Sequence, residues 1–211
     1  MAVLESPTVG GQFAEVDSGK NLFIAEGLKG YTAGGEYVVS GWSTAAVAAT
    51  LAASTTLVSL RFAPASSRFA YVTRIRLAVT VITPGANGGI PGVLAWQRFT
   101  TATPSTGTAR TVAKKNASHP STSDMTDVRD NNAALTVTSV VFGDIIAASI
   151  MPTFPELTSG AVNGGFEWIF EPLDEPVKLA AGDGLAMRTQ VVMPATTTWG
   201  FSYTAHWFEK P

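Results

Sequence analysis

Apolar and polar residues alternate with a period of two along much of this chain, as in strands that bury one face. The pattern is clearest towards the C-terminal end. Leu185, Met187, Thr189 and Val191 alternate with Ala186, Arg188, Gln190 and Val192. Beyond a Pro194 turn, Trp199, Phe201, Tyr203, Ala205 and Trp207 alternate with Gly200, Ser202, Thr204 and His206. Together with Gly165 to Phe170, these segments predict a C-terminal meander. The best strand is expected over Phe69 to Ile82, with Phe69, Tyr71, Ile75, Leu77, Val79 and Val81 on one face and Arg74, Arg76 and Thr80 on the other. Further strands are predicted at 57–62, 93–100, 135–142 and 145–151, the last two joined at Gly143-Asp144, with a weak one at 109–113.

Glycine- and proline-rich stretches separate these elements, notably Pro84 to Gly89 and Pro152 to Gly164. Thr101 to Asn132 is a long polar excursion, and loops of that length in compact domains are usually functional or ordered by a partner. Residues 1–54 read differently. Glu15 to Ile24 predicts a short hairpin turning at Asp17 to Asn21, and the Ala-rich stretch Thr44 to Ala53 is a candidate short helix without caps. So few large apolar residues cannot bury a core alone. The expectation is therefore an extended N-terminal arm over 1–54, followed by a β-sandwich domain over 55–211. The fold class is all-β, an antiparallel β-sandwich of roughly eight to ten strands, with the jelly roll as its expected form.

Composition adds a reason to expect association. Charged residues make up 14% of the chain, against roughly 25% in ordinary soluble domains, so subunit contacts are expected to cover part of the surface. There is no cysteine, which leaves packing and association to supply stability. No stretch is long and apolar enough to span a bilayer, and Met1 to Pro7 lacks the pattern of a signal peptide, so no membrane partner is expected.

The net charge of −2 conceals an uneven distribution. No acidic residue falls between Tyr37 and Ser123, where Arg61, Arg68, Arg74, Arg76, Arg98, Arg110, Lys114 and Lys115 lie. Most of the carboxylates come later, from Asp124 to Glu209. The two halves interleave in a sandwich, so this asymmetry predicts neutralisation within or between subunits. A nucleic-acid partner is not expected, because the aromatics alternate on faces that read as core.

Candidate chemistry is sparse. Glu171 and Glu175 flank Pro172 in the manner of a glycosidase pair, but solvated turn charges have the same pattern. Asp124, Asp127 and Asp130, with Asn131 and Asn132, are oxygen donors of the kind Ca²⁺ takes. Their spacing is not that of an EF-hand, and a solvated or Arg129-paired loop is expected. His119 and His206 have no nucleophile placed beside them by the sequence. Ser18-Gly19-Lys20-Asn21 resembles a phosphate loop but fails it at both ends, with Ala14 and Asn21 at its defining positions. Asn116-Ala117-Ser118 is a formal glycosylation acceptor. Trp96, Trp199 and Trp207 are the residues a carbohydrate-binding module would stack on sugar rings, yet their phase assigns them to the core. No catalytic residue, cofactor or metal ligand is assigned, and the chain is not expected to be an enzyme.

Several phrases together resemble a class of tailed-bacteriophage virion proteins. They are Arg68-Phe69-Ala70-Tyr71-Val72-Thr73-Arg74-Ile75-Arg76 preceded by Ser66, a mid-chain loop with Lys115-Asn116, Glu175 to Arg188, and the aromatic last strand. Ala14 to Leu22 is similar to the arm segments that open many phage structural proteins. The resemblance implies a non-enzymatic β-sandwich carried on the virion and assembled in the bacterial cytoplasm. The implied molecule is a homotrimer that binds the major capsid protein or other virion proteins. Its implied role is a capsid decoration, or cement, protein. The alternative is a neck, tail or fibre component, or a carbohydrate- or receptor-binding tip that meets a host surface glycan.

Overall fold

The computed structural model describes residues 4–5, 13–16, 22–23, 35–44, 47, 51–64, 68–83, 92–100, 103–115, 122–138, 140–150, 164–170, 176–193 and 198–210. Its strands are β1 (Leu4–Glu5), β2 (Phe13–Val16), β3 (Leu22–Phe23), β4 (Glu36–Trp42), β5 (Thr56–Arg61), β6 (Phe69–Thr83), β7 (Val93–Thr100) and β8 (Thr103–Pro104). They continue with β9 (Thr108–Ala109), β10 (Ala113–Lys114), β11 (Asp127–Asp130), β12 (Val137–Thr138) and β13 (Val141–Ile150). The last four are β14 (Gly164–Phe170), β15 (Val177–Leu179), β16 (Asp183–Thr189) and β17 (Thr198–Lys210). Among the described residues there is no helix, and the protein is an all-β, antiparallel sandwich.

One six-stranded sheet runs β10-β4-β17-β6-β14, with β15 also paired to β6; the facing sheet runs β13-β7-β16-β5-β11-β9. The chain passes from one sheet to the other between β4, β5, β6 and β7, and returns the same way through β14, β16 and β17. The expected C-terminal meander is therefore corrected. Its strands are consecutive in sequence, yet β14 and β17 pair with β6 while β16 pairs with β5 and β7.

Period two decides what is buried. On β17, Trp199, Phe201, Tyr203, Ala205 and Trp207 all face the core, at 4% exposure or less. Leu185 and Met187 on β16, Leu94 and Trp96 on β7, and Ile75, Leu77 and Val79 on β6 meet them in one cluster. Trp96 packs edge-on to Tyr203 at 6.3 Å and so joins the two sheets. On the outside of the second sheet, Phe99 and Ala186 form a smaller cluster with Val137, Val140 and Phe142. A Cβ at Gly184 would overlap the Phe99 ring and the Leu60 carbonyl, so that position must be glycine for Phe99 to lie flat on the strand.

Three sequence expectations change. First, Phe69 and Tyr71 do not share a face with Ile75. The register between β17 and β6 slips at Thr73, between the pairs His206↔Arg74 and Trp207↔Val72. A one-residue bulge inverts the phase of a strand, so Ala70 and Val72 point inwards and Phe69 and Tyr71 stand on the outer face. Second, Gly143-Asp144 is a bulge within the single strand β13, opposite Arg98, and not a turn between two strands. Third, Thr44, Val47 and Leu51 are not helical. Val47 donates from its backbone to Trp199 at 2.6 Å, and Leu51 accepts from Met193 at 2.8 Å.

The sandwich also begins before residue 55. β4 pairs with β17 over seven residues, Tyr37 and Val39 are 1% exposed, and Glu209 donates its amide to the Gly35 carbonyl. Among the described residues, the sandwich therefore reaches back at least to Gly35, beside the C-terminal strand. Upstream, β2 pairs with β3 through Glu15↔Phe23 and Val16↔Leu22, the pairing the predicted hairpin requires, and β1 completes a separate three-stranded sheet.

Candidate functional site

The long excursion after β7 carries the short strands β8 to β11, and it closes one side of the sandwich. β9 extends the second sheet through β11, and four residues later β10 extends the first sheet along β4. Arg110 lies in this crossing. Its Nε and Nη2 donate to the two oxygens of Asp130 at 2.7 and 2.9 Å, and Nη2 also reaches the Trp42 carbonyl at 2.6 Å. The Asp130 side chain is 1% exposed and that of Arg110 11%. This bidentate pair raises the Arg110 pKa above its ordinary value. Burial, and then the Asp130 charge, push the Tyr203 phenol far up.

The carboxylates of the acidic half meet the arginines of the basic half. Arg61 pairs with Asp127 at 2.9 Å, Arg68 with Asp124 at 3.2 Å, and Arg76 with Glu167. The hydrogen bond from Arg76 is the main reason the Glu167 pKa falls below the usual carboxylate range. Lys115 pairs with Glu36 at 2.8 Å. Intramolecular neutralisation thus absorbs much of the charge asymmetry. It also disperses the aspartate series, because Asp124, Asp127 and Asp130 each hold a different arginine. Asp127 and Asp130, three apart on β11, occupy opposite faces. Of the two expected forms, solvated or paired with Arg129, the second is not seen, since Arg129 reaches the Gly107 carbonyl. Among the described residues no three metal-ligating side chains converge.

Glu209 is a second buried anion, at 0% exposure. Its carboxylate accepts from Ser123 Oγ at 2.5 Å, Trp207 Nε1 at 3.0 Å and the Asp124 amide at 3.1 Å. Burial, followed by the Glu209 charge, pushes the nearby Tyr37 phenol up to about 12. With its oxygens committed to these donors, Glu209 ties the segment before β11 to the end of β17.

The outer face of the first sheet carries the remaining chemistry. At one end, Tyr71 and Phe208 stack at 5.0 Å, Lys178 lies 3.8 Å from the Phe69 ring centroid, and Lys210 lies 4.9 Å from that of Phe208. Phe69 and Tyr71 were expected on the same face as Ile75 and Leu77; the bulge at Thr73 brings them out beside the lysines. His206 lies half-buried next to them, and burial, then Lys115 and Arg74, lower its pKa. Trp42, 54% exposed, lies at the other end.

The tryptophans expected in the core are there: Trp96 and Trp199 are fully buried and Trp207 is 1% exposed. None offers a ring face to a sugar. Glu171, Glu175, His119, the Ser18 to Asn21 phrase and Asn116 to Ser118 lie outside the described residues. No protein-family model matches this sequence, and no curated protein sequence matches it either.

The sequence offered Asp130 only as a loop oxygen donor, and Glu209 and Trp42 were given no role, although a phase signal existed for each. Asp130 falls in step with Val128, and Glu209 with Trp207, so both are carboxylates at core positions, which must be hydrogen-bonded. Trp42 falls out of step with Tyr37 and Val39, which assigns it to the solvent face.

Proposed function

We propose that this protein is a non-enzymatic structural component of a tailed-bacteriophage virion, foremost a capsid decoration protein that self-associates through its sandwich. The observation that carries this reading is the asymmetry of the sandwich sides. One side is closed by the β9–β10 crossing. On the other, among the described residues, β13 pairs only with β7, and β14 and β15 pair only with β6. Val141, Ile145 and Ile169 are exposed there at 62%, 48% and 42%.

Unpaired strand edges bearing apolar side chains are association surfaces unless something blunts them. Here the Gly143-Asp144 bulge interrupts β13, which disfavours open-ended sheet growth while leaving a shaped contact. The occupant we assign is a second copy of this chain, in a closed ring such as a trimer. The strand order β4-β17-β6-β14 over β5-β16-β7-β13 supports the jelly-roll form, an architecture found in viral capsid and lectin domains. That architecture alone does not define function; the resemblance of the sequence phrases adds the virion context.

Immunogold labelling of phage particles with antibody to the purified chain tests the assignment. The expected result is gold over the whole capsid surface. Gold confined to the neck, tail or fibre transfers the protein to the alternative class, and particles without label overturn the virion reading.

A further inference from the structure

We infer that Trp42 and the hydroxyl-bearing strands beside it form a binding platform for a neutral saccharide ring. Three features distinguish this position from the buried tryptophans and from the lysine-rich end of the same sheet face.

The indole is held in place. The Arg110 guanidinium lies 4.4 Å from the Trp42 ring centroid, and Asp130 grips that guanidinium in a bidentate pair inside the sandwich. The cation covers one side of the indole, while Trp42 as a residue remains 54% exposed. A ring stacking on the open side therefore meets an aromatic surface whose orientation is already fixed, which lowers the ordering cost of binding.

The surroundings are small and rich in hydroxyls. Ser202 is the register partner of Trp42, Thr204 that of Ser40, and Thr80 that of Gly200. Ser40, Ser202 and Thr80 are exposed, Thr204 is half-buried, and Ser40 Oγ lies 3.0 Å from Thr204 Oγ1. A pyranose has an apolar C–H face and a rim of hydroxyls. An isolated aromatic plate beside a row of Ser and Thr hydroxyls matches both features. A protein partner would instead favour a contiguous apolar patch, and none of these strand neighbours of Trp42 is large and apolar.

The charge is already matched. Arg110 is neutralised by Asp130, so the cation nearest the indole offers no free charge to a phosphate. A nucleobase could stack equally well, but nucleic-acid binding draws its affinity from phosphate contacts. The balance favours an uncharged sugar. One stacked ring binds weakly, and repetition of the site in an oligomer would raise the avidity.

The test uses the full chain with four probes: cellotriose, maltotriose, triacetylchitotriose and galactobiose. Saturation-transfer NMR reads contact, and acrylamide quenching reads shielding of the exposed tryptophan. At least one probe is expected to bind and to shield Trp42. Trp42→Ala is expected to weaken binding roughly tenfold or more, and Trp42→Phe about threefold or less. Failure of all four probes to bind or shield overturns the proposal, as does a Trp42→Ala chain that binds like wild type. Salt-sensitive binding of a thymidine oligonucleotide at Trp42, without sugar binding, also overturns it. If Trp42→Ala does not fold, shielding in the wild-type chain decides by itself.

Discussion

A chain beginning at Gly35 is expected to fold, and one beginning at Thr55 is not. The two truncations differ by β4 and the segment behind it. That stretch supplies Tyr37, Val39, Val47 and Leu51 to the main core, and Tyr37 stacks on Trp207 at 6.0 Å. Burying four such side chains contributes roughly 6–12 kcal/mol at about 1.5–3 kcal/mol each, comparable with the whole stability of a typical domain. Losing β4 also strips one edge of β17, whose seven paired residues lie in the middle of the sheet. Circular dichroism and urea denaturation of both truncations check this. A Thr55 start with a cooperative transition near that of the full chain would show that β4 is dispensable.

Asp130→Ala is expected to lower stability by about 3–5 kcal/mol, the usual cost of leaving one member of a buried ion pair alone. Asp130→Asn should recover little, since it preserves shape but leaves the Arg110 charge unmatched. The site is crowded as well as charged. A Cβ on Gly41 would overlap both Asp130 and the Tyr203 ring, which implies that glycine at this point lets the two groups approach β4. The control is Arg61 with Asp127, whose side chains are 24% and 29% exposed. Asp127→Ala is expected to cost about 1 kcal/mol or less. Urea midpoints at constant slope measure both. Equal effects at Asp127 and Asp130 would show that water reaches the Arg110 crossing.

How much of this was legible beforehand depends on the range of the interaction. Strand identity is local, so the alternation on β16 and β17 already named Leu185, Met187, Trp199, Phe201, Tyr203 and Trp207 as core. Strand pairing is not local. Adjacent segments at the C-terminal end looked like a meander, because turn residues mark where a chain bends and not which sheet it enters. The bulge at Thr73 was equally hidden. It depends on the register of β6 against β17, more than a hundred residues away, and it moves Phe69 and Tyr71 from the expected core to the surface. The boundary at residue 54 failed for a related reason. Val39 and Gly41 are modest in bulk and Tyr37 stands alone as a large core residue on β4, so their value to the core lies in fitting beside Trp207, Tyr203 and Asp130. For the candidate site, the charge asymmetry pointed to neutralisation, but the partner of each aspartate required the fold. Trp42 became distinct once the other face of β4 was seen to be buried.

Sedimentation velocity of the full chain across a concentration series reads self-association itself. A closed oligomer is predicted, with three copies of the 22.0 kDa chain as the expected stoichiometry. Ile145→Lys and Ile169→Lys, which place charges on the open side, should return it to a single copy without loss of fold. A 22.0 kDa species at every concentration, with both variants sedimenting like wild type, would rule out association through the open side.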